Sequence, residues 1–317
     1  MTPLILVDGL RKRYSTRIAL DGVALGVGAG EIVGLLGPNG AGKSTTLAIL
    51  ATLLPFDAGS VTIAAQPLPA GAAGARRVLG FVPQRLALYP TLSARENLRF
   101  FARMLGLASR EAVHSVTEVL QLVGLEGRAD EPVHRFSGGM QRRLNLACGI
   151  LHRPRVLLLD EPAVGVDPQS REHLFETVSG LAANGTAVLY STNQMEEAER
   201  LCARVVLLDV GRVVASGTPP ALVAQAGASA TVRVRTARAL PAGWLAIEGT
   251  RLLESGDGST AVAISHTGVV PAVLAAALRA GGEILDFSLH RPTLADAFFS
   301  LTGRALRDEG ECAPAAG

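Results

Sequence analysis

Cysteine is scarce in this sequence, and its placement argues against two classes of protein. The 317 residues contain three cysteines, Cys148, Cys202 and Cys312, and no two of them have C-x-x-C spacing. Disulfide-stabilised secreted domains and cysteine zinc sites both need cysteines that are clustered or regularly paired. We therefore expect reduced thiols, as in a cytosolic protein.

Long hydrophobic runs are also missing. The apolar run Val156–Leu159 stops at Asp160, and Val205–Leu208 stops at Asp209. A helix that crosses a bilayer needs about 20 consecutive apolar residues. The N-terminal segment has a short apolar run with its basic residues after it, which is the wrong order for a signal peptide. The sequence therefore predicts a soluble chain.

A large excess of either charge is absent as well. The formal net charge is +2, which gives no reason to expect nucleic acid as a partner. Hydrophobic residues make up 48% of the chain and charged residues 18%, so a sizeable core can be buried. A length of 317 residues is long for one compact domain and predicts a large domain plus a small one.

Short apolar runs alternate with helical patterns up to about residue 218. Continuous apolar runs are typical of strands covered on both faces, and their alternation with helices predicts an α/β domain with a mostly parallel sheet. The predicted strands are Glu31–Leu36, Val156–Asp160, Thr186–Ser191 and Val205–Asp209.

Between about residues 92 and 135 the pattern becomes helical, which predicts a helical subdomain inserted into the α/β domain. Ser93 and Glu96 have the spacing of a capping box at the start of one helix. A second helix is predicted over Glu111–Val123, with Gly124 at its end.

A smaller α+β domain is predicted after a linker at residues 227–229. We place the first domain at residues 1–225 and the second at 228–303, and we expect residues 304–317 to be disordered. The predicted elements of the second domain are strands Ala230–Val234, Leu245–Glu248 and Ala261–Ser265, helix Val269–Arg279, strand Glu283–Leu289 and helix Leu294–Leu301.

The most specific motif follows the predicted strand Glu31–Leu36. It fits the pattern G-x-x-x-x-G-K-[ST] of a P-loop, which predicts binding of ATP with Mg²⁺. Its glycines let backbone N–H groups converge on an anion at the start of a helix, Lys43 adds a charge for the β- and γ-phosphates, and Ser44 can reach Mg²⁺. The predicted nucleotide-binding residues are Gly37, Pro38, Asn39, Gly40, Ala41, Gly42, Lys43, Ser44 and Thr45.

Two acidic residues end the strand Val156–Asp160. Asp160 and Glu161 would lie at the carboxyl edge of the sheet, beside the phosphates. Asp160 can hold Mg²⁺ through water, and Glu161 can polarise the attacking water, as a carboxylate near a phosphoryl group does. Together with the P-loop, this pair predicts phosphoryl chemistry.

The segment Phe136–Arg142, FSGGMQR, resembles the signature motif of the ABC ATPase superfamily. The resemblance covers residues 4 to about 225 and implies a P-loop NTPase fold with a helical insertion. It also implies a dimer, with a second copy or a related ATPase subunit, that sandwiches two ATP molecules. Ser137, Gly138 and Gly139 would form a second phosphate nest at a helix start.

The same resemblance implies roles for three more positions. Tyr14 matches the aromatic residue that stacks on adenine. Gln84 matches the glutamine that senses Mg²⁺ and the γ-phosphate and links the site to the membrane partner. Asp167, in Gly165–Pro168, matches the loop that crosses the dimer interface.

One position departs from the family pattern. Asn193 stands where the family has a histidine that contacts the γ-phosphate. Asparagine can donate a hydrogen bond, but it cannot carry a charge or shuttle a proton. Losing a charge-assisted contact in the transition state costs about 2–3 kcal/mol, or about 10²-fold in rate. ATP binding should survive because the P-loop is intact.

The segment Pro292–Gly303 resembles the C-terminal ending of exporter ATPases of the daunorubicin-resistance type. That group pairs with ABC-2-type permeases, so the resemblance implies an ATPase subunit at the cytoplasmic face of the membrane that energises a separate permease. The alternative is an ATP-binding switch or silent partner subunit whose hydrolysis is impaired by Asn193. A soluble ABC protein of translation or DNA repair ranks last, since the chain has one cassette and no sustained heptads.

Overall fold

The computed structural model describes residues 3–227 and 229–303. These residues form two compact units, 3–219 and 220–303. The tail predicted to be disordered, 304–317, and the linker position 228 lie outside the described residues. No helix within the described ranges is both long enough and apolar enough to cross a membrane.

The first unit is built from two sheets and the helices packed on them. Its strands are β1 (Ile5–Tyr14), β2 (Arg17–Val27), β3 (Ile32–Leu36), β4 (Ala58–Ile63), β5 (Gln66–Leu68), β6 (Leu79–Val82), β7 (Val156–Asp160), β8 (Ala187–Thr192), β9 (Arg204–Asp209) and β10 (Arg212–Gly217). Its helices are α1 (Lys43–Leu50), α2 (Ala72–Val78), α3 (Ala94–Met104), α4 (Ser109–Leu122), α5 (Gly138–Ile150), α6 (Pro168–Ala183) and α7 (Met195–Leu201).

The larger sheet of this unit has six strands in the order β10-β9-β3-β8-β7-β6. All neighbours are parallel except the pair β9 and β10, which confirms the predicted mostly parallel sheet. Every residue of β3, β7 and β8 is buried, as their continuous apolar sequences require. The register sets Leu36 beside Thr192 and Asp160 beside Ser191, so the carboxyl ends of these strands meet.

A second, antiparallel sheet with the order β2-β1-β4-β5 carries Tyr14 at the end of β1. One hydrophobic cluster joins this sheet to α1 and to the parallel sheet, through residues such as Val7, Leu47 and Leu158. The sheet was not predicted, because β1 and β2 are interrupted by bulges and charged residues that obscure the alternation. The packing fixes β1, the strand that ends at Tyr14, relative to α1.

The helical insertion begins with the predicted capping box. The Ser93 hydroxyl accepts the N–H of Glu96 at 3.2 Å, and the Glu96 carboxylate accepts the N–H of Ser93 at 2.8 Å. The second helix begins at Ser109 and not at Glu111. Gly124 follows it with a φ of 63°, the left-handed conformation expected at a helix end.

The second unit contains a four-stranded antiparallel sheet in the order β12-β13-β11-β14. The predicted strand Leu245–Glu248 is wrong: Leu245 and Ile247 are partly buried against the core of this unit from a loop that makes no strand. The elements are α8 (Pro219–Gln225), which begins at the division between the units, β11 (Ala230–Thr236), β12 (Thr250–Gly256), β13 (Ser259–Ile264), α9 (Val270–Arg279), β14 (Ile284–His290) and α10 (Leu294–Thr302).

Candidate nucleotide-binding site

A cavity of about 270 Å³ opens at the carboxyl ends of β3 and β7. Among the residues predicted from the sequence, its lining includes Tyr14, Asn39, Gly40, Gly42, Lys43, Ser44, Thr45, Gln84 and Glu161. Arg17 and Ala19 also line it and were not predicted. Arg17 approaches the P-loop from β2, where its guanidinium donates to the Gly40 carbonyl at 3.3 Å, a contact that spacing along the sequence cannot reveal.

The P-loop wraps around the start of α1. Gly42 precedes the helix with a φ of 112°, and a Cβ there would lie 2.6 Å from the Leu20 side chain, so the position requires glycine. A Cβ at Gly37 would collide with the Leu208 carbonyl oxygen, and Ala41 is buried, so these two residues shape the loop from outside the cavity. The N–H groups of the first helical turn have no intrahelical acceptors and are donors for an anion.

Lys43 is buried at the centre of this loop. Its ammonium donates to the carbonyl oxygens of Gly37 at 2.8 Å and Pro38 at 3.2 Å. It also forms an ion pair with Glu161, with Nζ 3.3 Å from Oε1. The pair compensates two charges that would be costly to bury separately.

Glu161 lies directly after β7 with an unusual backbone. Its φ of 45° is in the left-handed region that non-glycine residues rarely adopt. Its N–H reaches both the carbonyl and the hydroxyl of Ser191 at 3.1 Å, which holds this conformation. Its Oε2 accepts the Gln84 amide at 2.9 Å, so the carboxylate joins the P-loop lysine to Gln84.

Asp160 forms a cluster of oxygen atoms with two hydroxyl groups. Its Oδ1 accepts Ser191 at 2.7 Å and Ser44 at 3.3 Å. Ser191 was not predicted as a site residue. Its position at the end of β8, the strand beside β7, could have indicated that it lies next to Asp160. The cluster offers hard oxygen ligands of the kind that Mg²⁺ prefers, and no group of three or more His, Cys, Asp or Glu side chains suited to a metal ion occurs among the described residues.

The signature segment lies outside this cavity. Ser137 caps α5 by accepting the N–H of Met140 at 3.2 Å, and a Cβ on Gly139 would collide with the Ser170 hydroxyl. Asp167 caps α6 by accepting the N–H of Ser170 at 2.9 Å, and this hydrogen bond lowers the pKa of Asp167. The signature segment and the segment of Asp167 are therefore neighbours, and neither of them lines the P-loop cavity.

Asn193 follows β8 by one residue and is partly buried. It reaches the same sheet edge as the P-loop, but its side chain does not contribute to the lining of the cavity. Arg142 of α5 donates to the Gln84 carbonyl, which ties the glutamine to the helix that carries the signature segment.

Burial raises the pKa of the Cys202 thiol to about 12, as expected for a structural cysteine.

Comparisons with known proteins agree with this geometry. The profile of the ABC transporter family, described as "ABC transporter", matches residues 20–164. A Nod factor export ATP-binding protein I of Ralstonia nicotianae is 40% identical over 312 residues, which span 97% of this chain and 96% of that protein. A daunorubicin resistance ATP-binding protein of Streptomyces coeruleorubidus is 38% identical over 302 residues, which span 94% and 96%.

A solved structure of an ATP-binding subunit of an ABC transporter has a TM-score of 0.65 and 34% identity. It covers 71% of this chain, and this chain covers 93% of it. The P-loop cavity, the acidic pair and the extent of these matches lead to one conclusion. The chain belongs to the ABC transporter ATP-binding subunits, nucleotide-binding ATPases that act with membrane components of transporters.

Proposed function

We propose that this chain is the ATP-hydrolysing motor of an exporter and that it works at the cytoplasmic face of the membrane with an ABC-2-type permease. The observation that carries the proposal is the chain of contacts from Lys43 through Glu161 to Gln84 inside the P-loop cavity. These contacts join Lys43, which would bind phosphate, to Glu161, which would polarise the attacking water, and to Gln84, which would sense Mg²⁺ and the γ-phosphate. The names of the relatives, which refer to export and to drug resistance, favour outward transport.

ATP would bind with its phosphates at the first turn of α1. The nine residues Gly37–Thr45 shape this nest or donate to it, and Lys43 would exchange its carbonyl contacts for phosphate oxygens. Tyr14 is 46% exposed at the wall of the cavity, and its ring would stack on the adenine.

Mg²⁺ fits the oxygen cluster beside the P-loop. Ser44, Asp160 and the side-chain oxygen of Gln84 would hold it, since magnesium uses few protein ligands and takes the rest from phosphates and water. When bound, the ion neutralises charge that develops on the phosphoryl oxygens. Ser191 keeps Asp160 oriented through its 2.7 Å hydrogen bond.

Glu161 would accept a proton from the attacking water. It is buried and held by Gln84, and it would be released from its ion pair when Lys43 turns to the phosphates. Asn193, at the same edge, would donate a hydrogen bond to the γ-phosphate. The impaired-hydrolysis alternative rests on Asn193 alone, since Lys43, Asp160 and Glu161 are all present and connected.

The second phosphate nest would serve a partner. Ser137, Gly138 and Gly139 lie outside the cavity of their own chain, which supports the proposal that they would complete the site of a second copy or of a related subunit. Asp167, which lies beside them, would cross the same interface.

The permease would dock beside Gln84. A groove of about 280 Å³ is lined by Phe81, Phe101 and Met104, and Met104 is 70% exposed. The adjoining backbone is fixed by Asn145, which accepts the N–H of Ala87 and donates to the Pro83 carbonyl. A helix of the permease seated here would be mechanically linked to Gln84.

ATP turnover of the chain co-expressed with its candidate permease tests the proposal. We would compare the wild type with Glu161→Gln as the inactive reference and with Asn193→His. We expect wild-type turnover well above that of Glu161→Gln. Equal turnover in these two, with ATP still bound and activity restored by Asn193→His, would instead establish the impaired switch.

A further inference from the structure

A buried carboxylate lies beneath the loop that carries Asn193. Glu197, on α7, is 4% exposed, and its Oε2 accepts hydroxyl groups from Tyr190 and Thr192, each at 2.9 Å. Burial raises the pKa of Glu197, and burial together with the adjacent carboxylate raises that of Tyr190. A buried carboxyl is costly unless its hydrogen bonds are well made, and none of the steps above uses this one.

The first connection runs from Glu197 to the loop of Asn193. The Thr192 hydroxyl donates to Glu197 and accepts the N–H of Gln194 at 2.9 Å. Thr192 and Gln194 flank Asn193, so this hydroxyl fixes the backbone on both sides of it. Glu197 thereby sets the orientation of Thr192, and Thr192 sets the path of the loop.

The second connection runs from Glu197 to the segment of Asp167. Glu197 Oε1 lies 3.9 Å from Nε of Arg171 on α6, and both atoms are buried without a hydrogen-bond partner in the part of the chain that the structure describes. Arg171 donates from its guanidinium to the Val166 carbonyl at 3.4 Å and from its backbone to the Asp167 carbonyl at 2.9 Å. The backbone bond belongs to the first turn of α6, so it is the guanidinium of Arg171 that holds Val166, the residue before the Asp167 cap.

We propose that Glu197 is a positioning residue for ATP hydrolysis, and that it couples the loop of Asn193 to the segment of Asp167. The inference rests on the roles proposed above for these two residues. Glu197 touches neither nucleotide nor water in this account. It acts through Thr192 on one side and through Arg171 on the other, while Tyr190 anchors it from β8.

Two substitutions separate the two connections. Thr192→Val keeps the shape of the side chain and removes its hydroxyl, whereas Thr192→Ser keeps the hydroxyl. Glu197→Gln leaves one oxygen to accept both hydroxyl groups and turns an amide N–H₂ toward Arg171. Glu196→Gln is the matched control, because Glu196 is exposed on the same helix.

The test is the steady-state kinetics of ATP hydrolysis by the full chain co-expressed with its candidate permease. We expect Thr192→Val and Glu197→Gln to lower kcat on the order of ten- to a hundredfold by misplacing the loops. KM for ATP should stay near wild type, as should every parameter of Thr192→Ser and Glu196→Gln. The unfolding midpoints of Thr192→Val and Glu197→Gln should fall, because each variant removes an interaction of a buried carboxyl, so kcat is measured well below the midpoint of every variant. An unchanged kcat, or a KM that worsens in step with kcat, would overturn the proposal.

A double-mutant cycle tests the coupling itself. Thr192→Val and Arg171→Gln act through the same carboxylate, so their combined loss of kcat should be smaller than the product of the single losses. If the two losses of kcat instead multiply, Thr192 and Arg171 act independently and the proposed coupling is wrong. If the wild type turns over no faster than Glu161→Gln, the proposed function has failed, a result distinct from unaffected Thr192 and Glu197 variants in an active enzyme.

Discussion

Two helices of the first unit begin at glycine-rich segments, and they use their N-termini differently. α1 follows Gly42 without a side-chain cap, and its first turn lines the cavity. α5 follows Ser137, whose hydroxyl already accepts an N–H of the first turn. The start of α1 therefore opens into the cavity of its own chain beside Asp160 and Glu161, whereas the start of α5 does not line that cavity.

The largest effect is expected from removing the cation of the first helix start. Lys43→Gln should lower ATP turnover by at least about 10²–10³-fold, because it removes the charged contact that Lys43 would make with the phosphates. Glu161→Gln should also abolish turnover but retain nucleotide binding. Measuring turnover and ATP affinity for both separates binding from chemistry, and tight ATP binding by Lys43→Gln would contradict the account.

The second helix start can be blocked without disturbing its own chain. At Gly138 a Cβ would have its nearest neighbour, the Gly165 carbonyl oxygen, at 3.9 Å, so a side chain fits. Gly138→Asp should favour α5 through its helix dipole yet repel the phosphates of a partner's ATP, lowering turnover by about 10²-fold. Gly138→Asn is the uncharged control with a smaller loss. A lowered unfolding midpoint would attribute the defect to folding instead.

A smaller effect should come from the hydroxyl that orients Asp160. Ser191→Ala should weaken the apparent affinity for Mg²⁺ by about 10–100-fold, because outer-shell partners hold metal ligands in place. Titrating Mg²⁺ at saturating ATP measures it, with Ser216→Ala, an exposed position on β10, as the control. An unchanged Mg²⁺ requirement would mean that Asp160 needs no such support.

The smallest effect is expected at the start of α3, which has no part in the proposed binding of phosphate. Ser93→Ala removes the capping box of α3 and should cost about 1 kcal/mol in the free energy of unfolding. ATP affinity should not change, in contrast to substitutions in α1. Denaturant unfolding with Ser179→Ala, an exposed position, as the control measures the difference. A loss of ATP affinity in Ser93→Ala would contradict the expectation that this capping box stabilises α3 without affecting nucleotide binding.

The sequence predicted well where local pattern and chemistry agree. The buried strands β3 and β7 and the capping box of Ser93 are local features, and the structure confirms them within one residue. The roles of the site residues in binding and hydrolysis, those of Tyr14 and Asn193 among them, stay predictions. Ser191, Arg17 and Glu197 were not predicted as site residues, because their contacts join strands and helices that meet only in the fold.

The second unit shows the opposite case. Leu245 and Ile247 have an apolar spacing that favours a strand, but their burial comes from a loop laid on the core. The neighbouring strand β12 was missed, since its residues are mostly exposed and lack an apolar alternation. Burial alone does not distinguish a strand from a covering loop when no partner is known.

Mixing two inactive variants tests most directly whether the signature segment of one copy completes the P-loop site of another. Lys43→Gln retains its signature segment, and Gly138→Asp retains its P-loop. A mixed dimer therefore contains one intact site, and we predict that co-expression of the two variants with the permease restores part of the wild-type turnover. Turnover of the mixture no higher than that of either variant alone would contradict a site shared between copies.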